Sequence, residues 1–130
     1  LNGERIASRR VVGIVLPVEF GRAARQLLRS IEHERPDIVI ATGIAASRGA
    51  ITPERFALNF VDARIADNAG RTPRARSIIR SAPLALPSTL RISRMLDALG
   101  AAKLPAEASL SAGSYVCNEV FFRLQHALSG

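Results

Sequence analysis

Cys117 is the one cysteine in a chain of 130 residues, and it stands in SAGSYVCNEVFFRLQHAL, Ser111 to Leu128. A turn of small residues precedes it, and the apolar stripe Val116, Val120, Phe121, Leu124 and Leu128 follows at helical spacing. A thiol in the first turn of a helix lies among unpaired backbone N–H groups and the positive end of the helix dipole, which favour a thiolate. The same N–H groups can bind the oxyanion that forms when a thiolate attacks a carbonyl. The other reading is a buried thiol packed beside Val116 and Val120.

Attack on an amide also needs a proton acceptor and a donor for the leaving amine, work usually done by histidine near neutral pH. Two histidines are present. His33 falls on the polar side of the first predicted helix, where a solvated role is expected. His126 follows Cys117 by nine residues on the same helix, which puts it roughly 13 Å along the axis. Neither is expected to serve the thiol.

The elements that must position Cys117 read as alternating strands and helices. VVGIVL, Val11 to Leu16, is a short apolar run ending at Pro17 and predicts a buried strand. Phe20, Ala24, Leu27, Leu28 and Ile31 then recur at helical spacing, with Arg22, Arg25, Arg29 and Glu32 opposite and Pro36 as the stop. IVIATG, Ile38 to Gly43, predicts a second strand, parallel to the first across the helix and covered on both faces. ERFALNF predicts a strand, and DNAG a turn. LPSTLRISRMLDALGA predicts a helix with Pro87 near its start, Ile92, Met95, Leu96 and Leu99 inward, and Gly100 as its stop. PAEASL is a short strand before the last helix. This is one domain, residues 1–130, with no internal repeat and no apolar run of the roughly 20 residues a membrane span requires.

The formal charge is +7, carried by 17 Arg and the single Lys103 against 11 acidic residues. A charge of that size raises nucleic-acid binding as a possible role. The cations are scattered, with RTPRARSIIR, Arg71 to Arg80, the only dense patch, and Trp is absent, so few rings could stack on bases. A solvated basic face is preferred, with neither nucleic acid nor membrane as a partner. A lone cysteine rules out an intramolecular disulfide and points to a reducing, cytoplasmic compartment.

SAGSYVCN resembles the cysteine signature of the pyroglutamyl peptidase I (pyrrolidone-carboxylate peptidase) family. GIAASRGAITPERFALNFVDARIADNAG resembles the glutamate block of the same family, in the right order and at a plausible separation. LPVEF, PDIVIATG and LPSTL extend the likeness over nearly the whole chain. The resemblance implies a cysteine exopeptidase that removes N-terminal pyroglutamate from peptides, without metal or cofactor. It implies an α/β fold, a three-layer α/β/α sandwich with a mostly parallel open sheet, commonly assembled as a homo-oligomer. Carried over by position, Cys117 is the nucleophile and Glu54 orients the catalytic histidine. Ile44, Ile65, Tyr115 and Val116 line or hydrogen-bond the lactam ring, Val116 through its backbone, and Arg64 and Asp67 lie beside the site.

Simpler roles stand beside these. Glu54 could pair with Arg48 or Arg55 at the surface, Ile44 and Ile65 could be core, Tyr115 could support helix packing, and Arg64 and Asp67 could form a structural pair. Ala46 and Ser47 replace a glycine pair of the family's turn, where a positive φ would disfavour a Cβ. The family's catalytic histidine belongs to a segment beyond the last helix, and an N-terminal strand with an aromatic turn belongs before the first. The 130 residues are therefore expected to be an internal piece of a longer enzyme, inactive alone. The competing readings are a catalytically dead paralogue acting as a binding or assembly subunit, and an Arg-rich nucleic-acid binder.

Overall fold

A computed structural model describes residues 1–129 of the protein. The chain opens in a hairpin of β1 (Arg5–Ile6) and β2 (Arg9–Arg10), in which Ile6 opposes Arg9. Ala7 and Ser8 between them have φ of 47° and 67°, the left-handed conformation that a tight two-residue hairpin turn demands.

Helix α1 (Arg22–Glu34) follows, burying Ala23, Ala24 and Leu27. Gly21 begins it with φ 72°, and a Cβ there would come within 2.9 Å of the Arg25 Nη1, so glycine suits both the backbone and the space. Arg35 ends it in the left-handed region, donating its N–H to the Ile31 carbonyl immediately before Pro36.

Strand β3 (Glu54–Leu58) is the centre of a three-stranded sheet in the order β4-β3-β5, with β4 (Ala85–Pro87) antiparallel to it and β5 (Ser109–Ser111) parallel. Glu54 opposes Ser109, and Phe56 opposes Ser111. Helix α2 (Ile92–Ala101) connects β4 to β5. Helix α3 (Val116–Leu128) packs against both α1 and β3. The core joins Phe20, Ala23, Ala24 and Leu27 of the α1 region to Val116, Val120 and Leu124 of α3, with Val61 and Ala63 from the stretch after β3. The small Ala23 and Ala24, essentially unexposed, let α1 and α3 approach closely. Each larger apolar side chain in the cluster contributes roughly 1.5–3 kcal/mol by leaving water.

The α/β class, α1, β3 and α3 match the sequence reading, and five expectations change. The sheet is mixed, with one parallel and one antiparallel pairing, so "mostly parallel" does not describe it. Val11 prolongs the β1–β2 hairpin, donating its N–H to the Glu4 carbonyl at 2.8 Å and accepting the Gly3 N–H at 2.9 Å, but residues 12–16 and 38–43 carry no ladder hydrogen bonds among the described residues. Leu16 and Val39 pack on the core, but Val12, Ile14, Val15, Ile38 and Ile40 are 39–90% exposed. An apolar run records that a segment suits burial, whereas a strand exists only where a second backbone pairs with it. Pro87 ends β4 instead of opening a helix, because Ser88 donates its N–H to the Arg55 carbonyl and holds the chain to the sheet until Ile92. Gly100 lies inside α2, which ends one residue later. Ala46 and Ser47 are not among the positive-φ residues, so that turn carries no left-handed strain. Among the described residues, no helix is long and apolar enough to cross a membrane.

Asp67 closes the loop between the sheet and α1. Its side chain is fully buried. One carboxylate oxygen accepts the N–H groups of Ala69 and Arg71 at 2.9 and 2.8 Å, and the other accepts the Phe20 N–H at 2.8 Å and the Arg71 Nε at 3.1 Å. Burial pushes the carboxyl upward, but the three backbone donors and the Arg71 guanidinium outweigh it, and its pKa lies below the ordinary carboxylate value. A depressed native pKa means that the unfolded chain binds the proton more readily. The stabilisation is therefore complete above the unfolded value of about 3.9 and is lost as pH falls through the native one. Acid titration of thermal stability should show a steep decline below about pH 4 that is shallower in Asp67→Asn, which should also melt lower at neutral pH. Superimposable acid limbs would remove Asp67 from this role.

Candidate active site

The loop Ala112–Tyr115 carries the chain from β5 into α3, and Gly113 takes φ 82° within it. Ser114 locks the loop, accepting the Asp62 N–H on its carbonyl at 3.0 Å and donating its hydroxyl to the Asp62 carbonyl at 2.9 Å. Tyr115 stands in extended conformation at the N-cap with no side-chain cap. Its hydroxyl donates to the Ala66 carbonyl at 2.9 Å, and its ring meets Phe20 edge-on at 5.2 Å. Helical geometry begins at Val116.

Cys117 is thus the second residue of α3, and its thiol is exposed. The buried-thiol alternative is set aside. Among the described residues, no acceptor meets the N–H groups of Val116, Cys117 or Asn118, so the helix start presents unpaired donors beside the sulfur. The backbone of Gly43 lies against it: a Cβ built on Gly43 would sit 3.7 Å from the Sγ.

The expected substrate-facing residues gather here in part. Ile44, next to Gly43, is 99% exposed, and Ile65, next to the Ala66 that Tyr115 holds, is 68% exposed, so neither is core. Val116 is buried in the α1–α3 cluster, leaving its backbone as the part available to a ligand. Arg64 is exposed and forms no ion pair among the described residues. The anticipated Arg64–Asp67 pair is therefore not formed; Asp67 takes Arg71 because Arg71 closes the same tight loop.

Glu54 opens β3. One oxygen accepts the Arg48 Nη1 at 2.8 Å, while the other, Oε2, is buried and has no hydrogen-bond partner among the described residues. Arg48 also donates to Thr52 Oγ1 at 2.6 Å, which fixes the guanidinium. No hydrogen bond or ion pair joins Glu54 to Cys117 among the described residues. His33 is exposed at the end of α1 with Glu34 at 3.1 Å, and His126 is exposed beside the Phe122 ring, so neither imidazole is placed at the thiol.

Two residues that hold the site were not singled out in the sequence. Asn118, fully buried, accepts the Leu58 N–H and donates to the Leu58 and Phe60 carbonyls, each at 2.9 Å. Glu119 accepts the Gly21 N–H at 2.6 Å and the Arg123 Nε at 3.0 Å. The single apolar stripe drawn for α3 is in fact two buried faces. Val116, Val120 and Leu124 face α1, and Asn118 with the fully buried Phe122 faces the sheet. A polar residue four positions before a phenylalanine was the available signal, since both fall on one helical face.

A family profile described as pyroglutamyl peptidase matches residues 1–130. The chain is 46% identical over 129 residues to pyrrolidone-carboxylate peptidase 1 of Ralstonia nicotianae, covering 99% of this chain and 60% of that protein. It is 43% identical over 126 residues to the pyrrolidone-carboxylate peptidase of Pyrococcus furiosus, covering 97% and 61%. Among solved structures, a mutant pyrrolidone carboxyl peptidase from P. furiosus superposes with a TM-score of 0.96 at 41% identity, covering 99% of this chain and 62% of that one. Pyroglutamyl peptidase I of Bacillus amyloliquefaciens superposes with a TM-score of 0.95 at 34% identity, covering 98% and 62%. The chain spans about 60% of the length of these curated relatives.

Two outcomes follow from the geometry. Iodoacetamide should alkylate Cys117 in the folded protein, read by intact mass; modification that requires denaturant would return the thiol to the core. Asn118→Ala strands one backbone N–H and two carbonyls inside the protein, each costing roughly 1–3 kcal/mol. Denaturant titration should therefore show a loss of at least about 2 kcal/mol, and a loss under about 0.5 kcal/mol, the scale of an ordinary surface substitution, would deny the clamp.

Proposed function

The chain belongs to the pyroglutamyl peptidase family, and from that premise we propose that the whole protein is a cysteine peptidase that removes N-terminal pyroglutamate from peptides. The observation that carries the reading is Cys117 itself: an exposed thiol in the first turn of α3, beside unpaired backbone N–H groups and against the Gly43 backbone. In the proposed reaction the Cys117 thiolate attacks the pyroglutamyl carbonyl carbon, and the oxyanion is held by N–H donors at the start of α3. The C–N bond breaks as the amine takes a proton, leaving a thioester on Cys117. Water then cleaves the thioester, releasing pyroglutamate and restoring the thiol.

Glu54 is assigned to orient and charge-stabilise an imidazole, a role supported by its buried Oε2. His33 and His126 are both remote, so the imidazole is proposed to come from the part of the relatives' length that residues 1–130 do not span. Ile44, Ile65 and Tyr115, with the Val116 backbone, are proposed to meet the lactam ring, and Arg64 to border it. Ile44 and Ile65 suit this by being apolar yet exposed. The three-layer sandwich, a homo-oligomer and a cytoplasmic location complete the proposal, the last in keeping with a lone reduced cysteine.

The test is hydrolysis of a fluorogenic pyroglutamyl amide by the whole protein. Cys117→Ser should reduce turnover on the order of 10⁴-fold or more, and Glu54→Gln should lower kcat far more than it changes KM. Residues 1–130 alone should give no cysteine-dependent turnover. Turnover by the whole protein that survives Cys117→Ser would overturn the assignment, and a whole protein inert towards every pyroglutamyl amide would favour the binding-subunit reading.

A further inference from the structure

On the other side of α3 from Cys117, the start of α1, the loop after Asp67 and the middle of α3 enclose a cleft of about 450 Å³. Arg25, Arg71, Arg74, Arg76 and Arg123 line it. A second hollow of about 380 Å³ shares Arg76 and Arg123 and adds Arg80 and Ser77. Glu119 and Arg123 lie about 200° and 240° around the helix from Cys117 at 100° per residue, so this cleft is separate from the face carrying the thiol.

The charges do not balance. Arg71 pairs with Asp67 and Glu19, Arg74 with Asp62 and Arg123 with Glu119. Arg25, Arg76 and Arg80 have no carboxylate within 4.0 Å among the described residues. Six guanidiniums thus share four carboxylates. The Arg76 backbone is tied to Val61 by two hydrogen bonds, and the Arg25 guanidinium lies over Gly21 at the positive end of α1. Unpaired like charges held in a concavity focus a positive field and raise the local concentration of anions.

We propose that this cleft binds a small polyanion through a phosphate or diphosphate group. Guanidinium forks match phosphate oxygens bidentately, and the Thr72 and Ser77 hydroxyls add neutral donors at the rim. The volume falls within the roughly 300–1,000 Å³ typical of small-molecule sites. Phe20 is the one aromatic residue in the lining and is 5% exposed, which leaves no platform for stacking a base. The phosphates, not a nucleobase, are what the cleft recognises, and the arrangement disfavours a nucleic-acid strand.

Isothermal titration of the chain with inorganic pyrophosphate, and in parallel with orthophosphate and sulfate, tests this. Saturable binding at one site is expected, strongest for pyrophosphate. Replacing two charged donors, in the double variant Arg25→Gln with Arg76→Gln, should weaken it about 100-fold, roughly tenfold for each. Arg29→Gln with Arg94→Gln removes the same charge outside the cleft and should leave affinity within about twofold, the margin of a merely screened surface effect. Melting each variant without ligand separates lost binding from lost folding. No saturable pyrophosphate binding, equal weakening by both pairs, or tight binding of a single-stranded oligonucleotide that pyrophosphate does not displace would overturn the proposal.

Discussion

The first turn of α3 is held from two sides by the two residues that follow the cysteine. Asn118 grips the backbone of β3 and its continuation through Leu58 and Phe60, while Glu119 takes the N–H of Gly21 at the start of α1. Both side chains are buried, where a polar group without partners is costly. Moving the turn by an ångström would break several hydrogen bonds in a place where water cannot replace them. Cys117, exposed between Val116 and Asn118, inherits that rigidity without contributing to it. A reactive group gains from such an arrangement, because orientation is settled before a ligand arrives.

The same logic extends outward from Glu119. The entry to α1 is fixed by two carboxylates from distant parts of the chain, Glu119 on the Gly21 N–H and Asp67 on the Phe20 N–H. A helix start with no side-chain cap of its own is thereby supplied with acceptors. Phe20, so positioned, meets the ring of Tyr115, whose hydroxyl holds the Ala66 carbonyl. The exposed Ile65 is therefore tied to the start of the thiol's helix through the neighbouring Ala66 carbonyl and the Tyr115 hydroxyl. Asp67 thus shapes the loop and the entry to α1, holding Phe20, Ala69 and Arg71.

What the sequence disclosed and withheld follows from the range of the forces involved. α1 and α3 were legible because an apolar stripe repeating every three to four residues is a local signal, and Pro36 and Gly113 punctuate it. The strand at ERFAL was legible by its bounds, but its buried face is Ala57, Asn59 and Val61, while Phe56 and Phe60 stay 40% and 43% exposed. Residue size does not settle the inward face there, since pairing and the approach of α3 decide which side is covered. The runs at 12–16 and 38–43 have the composition of strands without ladder partners among the described residues. Asn118 and Glu119 were opaque for the same reason: their partners lie 60 and 98 residues away in sequence, beyond any periodicity. Cys117 itself stood out by its rarity and by two blocks of sequence likeness, neither of which depends on contacts.

Glu54 forms the ion pair with Arg48 that its sequence allowed, and the arrangement of its two oxygens bears on the role proposed for it. A carboxylate bound bidentately by arginine has both oxygens engaged in parallel hydrogen bonds. Here Arg48 takes a single oxygen and spends its Nη1 partly on Thr52, so the ion pair fixes the carboxylate's orientation while leaving Oε2 unshared. A buried, unshared oxygen on an otherwise restrained carboxylate is poorly explained by a structural ion pair, which would be improved by a second donor. The proposed mechanism would supply that donor as the N–H of an imidazole. Arg48 then has a role of its own in the proposal, since its grip on one oxygen determines where the other points.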